Sequence, residues 1–150
     1  MSTTSTTQTA SSALKHRGLS AQFWRVGLLT LLAAVAINTG IALAAHALFT
    51  VAPTFVPLQV ASVIPATAVA VAGALFVLAL ISQRSQQLVR LFRRIALLVL
   101  LISLIPDLLL PFVGLYPGTT LPEVGIVMLM HLATAFLCIS LAPRMLNARG

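Results

Sequence analysis

The 150-residue sequence has few charged residues and a single cysteine. Charged side chains make up 7% of the chain, whereas a soluble domain carries about 25%. A chain with so few charges cannot present a surface that water solvates well, so an ordinary soluble domain is excluded. The lone Cys138 excludes an internal disulfide and a metal site built from several cysteines.

Acidic residues are rarer still, with two against nine Lys and Arg. In a soluble protein this excess would indicate a nucleic-acid partner. Here all nine basic residues flank apolar segments: three before the first, four between the second and third, and two after the fourth. Lys and Arg collect in the cytoplasmic loops of membrane proteins. The pattern therefore predicts cytoplasmic termini and gives no reason to expect a nucleic-acid partner.

Hydrophobic residues make up 59% of the chain and group into four long segments. Each segment is long enough, at 1.5 Å per helical residue, to cross a hydrocarbon core of about 30 Å. We therefore predict an all-α fold, a four-transmembrane-helix antiparallel bundle with both termini inside, in one domain over residues 23–146. The predicted spans are residues 26–49, 58–81, 95–116 and 123–143.

Residues 1–22 precede this domain and are rich in Ser and Thr. Such a segment buries too little apolar surface to offset the entropy of ordering, so we predict a disordered cytoplasmic tail. Small residues around Ala42-Leu43-Ala44 offer an alternative, a cleaved signal peptide. The apolar segment is too long for that interpretation and continues past the cleavage position.

The segment SQRSQQLVRLFRR (82–94) is predicted to be a cytoplasmic loop, because it is polar and carries four arginines. Leu88, Leu91 and Phe92 could enter the membrane interface while the guanidinium groups meet anionic lipid headgroups. The predicted contacts to anionic lipid are Arg84, Arg90, Arg93 and Arg94.

Asp107 is the most informative residue, because a carboxylate within hydrocarbon must find a partner or be protonated. Counting 1.5 Å per residue puts Asn38 and Asp107 about 18 Å from the inner boundary. The same count puts His131 about 12 Å below the outer one, at the same depth. We predict an Asn38–Asp107–His131 polar cluster and, at the outer surface, a contact between His46 and Glu123.

Each predicted span also carries small or polar residues at helical spacing, which favour close helix packing in lipid. In the first span they are Ala34, Asn38, Ala42 and Ala45. In the second they are Ser62, Ala66, Ala70 and Ala74. These stripes are predicted to face the interior of the bundle.

Two interpretations of the polar cluster remain open. Interhelical hydrogen bonds that hold the bundle together are the favoured one. A proton or small-ligand site is the other, since ionisable residues within a membrane are functional candidates. Met128, Met130 and Cys138 only weakly indicate a soft metal, and His46 and His131 differ in depth by about 12 Å, which disfavours bis-histidine haem. No cofactor or metal site is predicted.

The segments LLISLIPDLLLP (100–111) and VMLMHLATAFLCISLAPR (127–144) resemble a bacterial family of small four-pass integral membrane proteins of unknown function. The resemblance extends over about residues 20–146. It implies a four-helix fold in the bacterial inner (plasma) membrane and assigns no activity.

Three functions follow as hypotheses. The favoured one is a non-enzymatic structural or accessory component that meets the lipid bilayer and a membrane-protein partner or a second copy. The first alternative is a small transporter or proton-linked carrier that uses Asn38, Asp107 and His131. The second is a redox or metal-binding anchor. No catalytic motif occurs in the sequence, so we do not expect an enzyme.

Overall fold

The computed structural model describes residues 21–82, 87–114, 116–117 and 119–146. Within these residues the chain forms four long α-helices and one short 3-10 helix, Val56–Leu58, with no strand. All four long helices are long and apolar enough to cross a membrane, which confirms an all-α, multi-pass membrane protein. They are α1 (Ala21–Leu48), α2 (Val60–Ser82), α3 (Leu88–Val113) and α4 (Leu121–Leu146).

Most of the predicted Ser/Thr-rich tail (1–22) lies outside the described residues. The helix bounds differ from the predicted spans chiefly at the start of α3. Residues 88–94, predicted as loop, form its first two turns. The prediction that Phe92 enters the membrane interface is wrong, because its side chain is 3% exposed and packs in a core with Phe23, Leu78 and Met145. Burial of this ring favours continuing the helix into the arginine-bearing segment. Pro106 and Pro111 both lie inside α3, which continues past them to Val113.

Local chemistry explains the turn that joins α3 to α4. Gly114, which follows α3, has φ +66°, the left-handed conformation that glycine adopts without a Cβ penalty and that commonly ends helices. Thr120 and Glu123 flank the start of α4 in the spacing of a capping box, and Pro122 occupies the first turn.

The helices pack unequally. α4 lies against both α1 and α3, and α2 lies against α1, but α2 meets α3 over only a short stretch. The α1 stripe of Ala34, Asn38, Ala42 and Ala45 is buried in these contacts, as predicted. The gap between α2 and α3 leaves a cleft along the bundle.

The prediction for the α2 stripe is wrong. Ala66 and Ala70 are exposed, and the buried residues of α2 are Val63, Thr67, Val71, Leu78 and Ser82. Larger α2 side chains fit over small residues of α1. A Cβ added at Gly27 would lie 3.2 Å from a Leu75 methyl carbon. Ser62, Ala66, Ala70 and Ala74 instead line the cleft.

Candidate functional site

The cleft between α2 and α3 has a volume of about 390 Å³. Small α2 residues form one wall, Ala96, Val99 and Leu100 of α3 form the other, and residues of α4 close its base. The exposed Ala66, Ala70 and Val99 mark its mouth along the membrane-spanning length. Polar side chains from all four helices also line it: Asn38, Ser62, Thr67, Ser103, Asp107, His131 and Thr134.

Asp107 and His131 are in contact in this cleft. Asp107 Oδ2 lies 3.2 Å from His131 Nδ1, and the same nitrogen lies 3.0 Å from the carbonyl oxygen of Val127, one turn earlier in α4. Two oxygen neighbours assign the ring hydrogen to Nδ1, since a lone pair there would be repelled by both. The other ring nitrogen, Nε2, then carries the lone pair and can accept a hydrogen bond or a proton.

The carboxylate of Asp107 has one oxygen that no hydrogen-bond donor of the described chain meets. Its residue is 8% exposed, and Oδ2 has no hydrogen-bond partner among the described residues. The two observations on this atom are compatible: the Nδ1 hydrogen serves the Val127 carbonyl, and the 3.2 Å contact to Asp107 is electrostatic without hydrogen-bond geometry. A buried acceptor left in this state is unfavourable and needs an explanation.

Asn38 lines the same cleft but bonds elsewhere. Its Nδ2 donates to Thr67 Oγ1 at 3.0 Å and to Thr134 Oγ1 at 2.9 Å, which connects α1 to α2 and α4. Its Oδ1 is buried and has no partner among the described residues. The structure therefore brings Asp107 and His131 together and leaves Asn38 as a neighbouring group bonded to two threonines.

Sequence reasoning missed Thr67 and Thr134. Thr134 follows His131 by three residues and so shares its helix face, a spacing that could have placed it in the site. No comparable feature distinguishes Thr67, because its position depends on the rotation of α2 about its own axis.

The predicted contact between His46 and Glu123 does not form, and no ion pair joins them in the described chain. Glu123 is 2% exposed. Its Oε2 accepts from the Thr120 N–H (2.8 Å) and hydroxyl (3.1 Å), and its Oε1 accepts from the Ala52 N–H (3.0 Å). Unpaired backbone donors at a helix start attract a carboxylate, and the Thr120-to-Glu123 spacing in the sequence could have indicated this. His46 is exposed, and its Nδ1 contacts the Ala42 carbonyl at 2.8 Å.

Glu123 belongs to a set of contacts that we call the loop cap, made by residues 49–59 and the described residues of 114–123. Thr54 Oγ1 donates to the Pro117 carbonyl at 3.1 Å, and the Phe55 and Tyr116 rings meet edge to face at 5.6 Å. With the bond from Ala52 to Glu123, these contacts join the α1–α2 hairpin to the α3–α4 hairpin.

Arginines lie at the opposite end of the bundle. Arg90, Arg93 and Arg94 are exposed on the first two turns of α3, and Arg25 and Arg144 are exposed on α1 and α4. Arg84 lies outside the described residues. Contact of these side chains with anionic lipid stays a prediction. No group of three or more His, Cys, Asp or Glu converges on a possible metal position within the described ranges.

The sequence matches a family of unknown function (DUF6069) over residues 19–148. No curated protein and no solved structure shows significant similarity to the chain. The family match and the four apolar helices confirm the resemblance to small four-pass membrane proteins of unknown function. The match spans nearly the whole chain, including all four helices, and the protein therefore belongs to the DUF6069 family.

Proposed function

We propose that this protein is a small carrier that binds its ligand in the cleft between α2 and α3. The observation that supports this most directly is the position of Asp107, whose Oδ2 lies 3.2 Å from His131 Nδ1 in a cavity of about 390 Å³. Binding pockets are typically concave and mostly apolar, with a few convergent polar groups, and this cleft has that character.

Two buried acceptors without hydrogen-bond partners among the described residues favour a ligand site over a purely structural role in holding the helices together. Polar residues that only hold helices together satisfy one another across the interface, as the Nδ2 group of Asn38 does with Thr67 and Thr134. Asp107 Oδ2 and Asn38 Oδ1 are instead buried without donors in residues that line the cavity. A bound molecule that donates hydrogen bonds would satisfy both.

An Asp–His pair also suits linkage to protons. His131 Nδ1 lies 3.2 Å from Asp107 Oδ2, so a proton held by one group can be stabilised by the charge of the other. Asp107 lies six residues before the end of α3, on the loop-cap side of the bundle.

We further propose that the protein lies in the bacterial inner membrane with both termini cytoplasmic. The distribution of its nine basic residues favours this orientation of the termini. Reporter fusions at each terminus test that orientation, and an external reporter at either terminus contradicts it.

Thiol labelling tests the carrier role. In a Cys138→Ala background, which has no other cysteine, Ala70→Cys introduces a thiol on the cleft wall. Val69→Cys is the matched control, because Val69 is 73% exposed on the same helix and does not line the cleft. In membranes, a charged methanethiosulfonate should modify Ala70→Cys at least tenfold faster than Val69→Cys. A membrane-permeant maleimide reports that both thiols are present.

Equal resistance of both thiols to the charged reagent would contradict a carrier. The cleft would then be closed to water, and a structural or accessory role would become the better explanation. That role has its own support in the wide lipid-accessible surface of α3, where Phe92 and Asp107 are the buried side chains among the residues described.

A further inference from the structure

We propose that the ligand of the cleft is a protonated primary or secondary amine with an apolar body, and that it exchanges for a proton at the Asp107–His131 pair. This inference depends on the proposed carrier role and identifies the chemical class of its substrate.

The cleft presents acceptors that lack donors. Asn38 is 4% exposed and Asp107 is 8% exposed, and each has a buried oxygen without a hydrogen-bond partner in the described chain. The Nδ1 hydrogen of His131 is directed at the Val127 carbonyl. An ammonium group carries several N–H donors and no acceptor, so it matches this deficit, whereas a carboxylate or phosphate would add further acceptors.

The charge of the cleft selects a cation. No Lys or Arg is among the described residues that line it. Asp107 is the carboxylate in that lining, and its two other titratable groups, His131 and Cys138, both come from α4. The lining residues of α1 and α2 are not titratable; their polar members are Asn38, Ser62 and Thr67. An ionised Asp107 beside a neutral imidazole therefore leaves one negative charge for a cation to neutralise.

The walls of the cleft select the apolar body. Ala66, Ala70 and Ala74 of α2 face Val99 and Leu100 of α3 across it. These side chains offer no hydrogen bonds, and several are short enough to leave room between the helices. An alkyl or aryl group can lie between these walls while its ammonium group reaches Asp107 and Asn38.

Proton balance follows from the same geometry. In the proposed exchange, the ligand-free pair holds one proton in addition to the Nδ1 hydrogen, on Asp107 or on His131, and is neutral overall. When the ammonium binds, that proton leaves to solvent, which gives the ionised carboxylate that pairs with the ammonium beside a neutral imidazole. One proton is released for each cation bound. Binding therefore strengthens as pH rises while the ligand-free pair still holds that proton, and it weakens once the amine loses its own proton near the ordinary amine pKa of about 10.

Calorimetry on the full-length protein in lipid nanodiscs tests the proposal, with empty nanodiscs correcting for partition into lipid. Three probes separate charge from hydrogen bonding: hexylammonium, hexyltrimethylammonium and 1-hexanol. Hexylammonium should bind at least tenfold more tightly than either of the others. Titrations in buffers of different ionisation enthalpy should give release of about one proton.

Variants locate the effect in the cleft. Asp107→Asn should weaken hexylammonium at least tenfold and abolish proton release. His46→Gln is the matched control for His131→Gln, because both rings contact the carbonyl four residues earlier but His46 is not part of the cleft lining. Of these two histidine variants, only His131→Gln should alter proton release. The three-probe comparison on the unmodified chain remains decisive if a variant fails to fold.

Equal binding of hexyltrimethylammonium would overturn the proposal, because that cation donates no hydrogen bond. Tighter binding of hexanol, or full affinity in a folded Asp107→Asn protein, would also overturn it. If no probe binds although Ala70→Cys reacts with the charged thiol reagent, the ligand class is wrong and the carrier role stands. If both experiments fail, both proposals fail.

Discussion

The chain has two acidic side chains, Asp107 and Glu123, and their hydrogen-bonding surroundings differ. Glu123 is 2% exposed and accepts three hydrogen bonds at the loop cap. Asp107 is 8% exposed, with a buried oxygen that no donor among the described residues reaches and a histidine 3.2 Å away. Burial is similar, so burial alone cannot assign a role. The two carboxylates differ instead in their hydrogen-bond donors, and this difference supports the proposal of a ligand at Asp107.

The largest effect on the free energy of unfolding is expected for a substitution of Glu123. Glu123→Gln keeps the shape of the side chain but places an amide donor against backbone N–H groups. We expect a loss of about 2 kcal/mol in the free energy of unfolding, because charge-assisted bonds from two backbone N–H groups and a hydroxyl are weakened. Denaturant titration in mixed micelles measures it. An unchanged midpoint would show that the loop cap does not stabilise the bundle.

A smaller effect on the free energy of unfolding is expected for the polar side chains of the cleft that are hydrogen-bonded to each other. The Asn38–Thr134 hydrogen bond joins α1 to α4 at 2.9 Å. A double-mutant cycle of Asn38→Leu and Thr134→Val should give a coupling energy of about 0.6 kcal/mol, typical of interhelical hydrogen bonds in membranes. The cycle of Asn38→Leu with Ser140→Ala serves as control, since the Ser140 hydroxyl bonds within its own helix to the Phe136 carbonyl. Additivity in the first cycle would contradict this assignment.

The smallest effect is predicted for Asp107 itself. Asp107→Asn removes a charge without removing a hydrogen bond, so the free energy of unfolding should change by no more than about 0.5 kcal/mol. The same titration used for Glu123→Gln provides the measurement. A loss of free energy of unfolding as large as that of Glu123→Gln would show that Asp107 stabilises the bundle as Glu123 does, which would contradict this prediction.

Depth along a span was predictable from the sequence, and rotation about the helix axis was not. Counting residues from the membrane boundaries put Asp107 and His131 at one level because both helices rise by a fixed distance per residue. The face that α2 presents to α1 depends on how Leu75 and its neighbours fit over small residues such as Gly27. Depth does not determine that fit. The sequence therefore predicts that Ala66 and Ala70 face the interior of the bundle, whereas they form a wall of the cleft.

Two further differences have local causes. The capping-box spacing of Thr120 and Glu123 was legible in the sequence, but His46 at a similar depth offered a competing partner. The arginines of residues 88–94 indicated a loop, yet a helix can expose Arg90, Arg93 and Arg94 while burying Phe92. Long basic side chains extend from a helix into polar surroundings at little cost, so charge alone does not end a helix.

The loop cap has a mechanical consequence for the cleft. Because Ala52 is bonded to Glu123 and Thr54 to the Pro117 carbonyl, the two hairpins are fixed to each other at one end. The opposite end is held as well, because Phe92 packs in one core with Phe23, Leu78 and Met145, and the Gln22 amide donates to the Arg144 carbonyl at 3.3 Å. Splaying of the two hairpins is therefore opposed at both ends of the bundle. The cleft lies between these two ends, so its open side at Ala66, Ala70 and Val99 is the route to Asp107 that requires no separation of the hairpins.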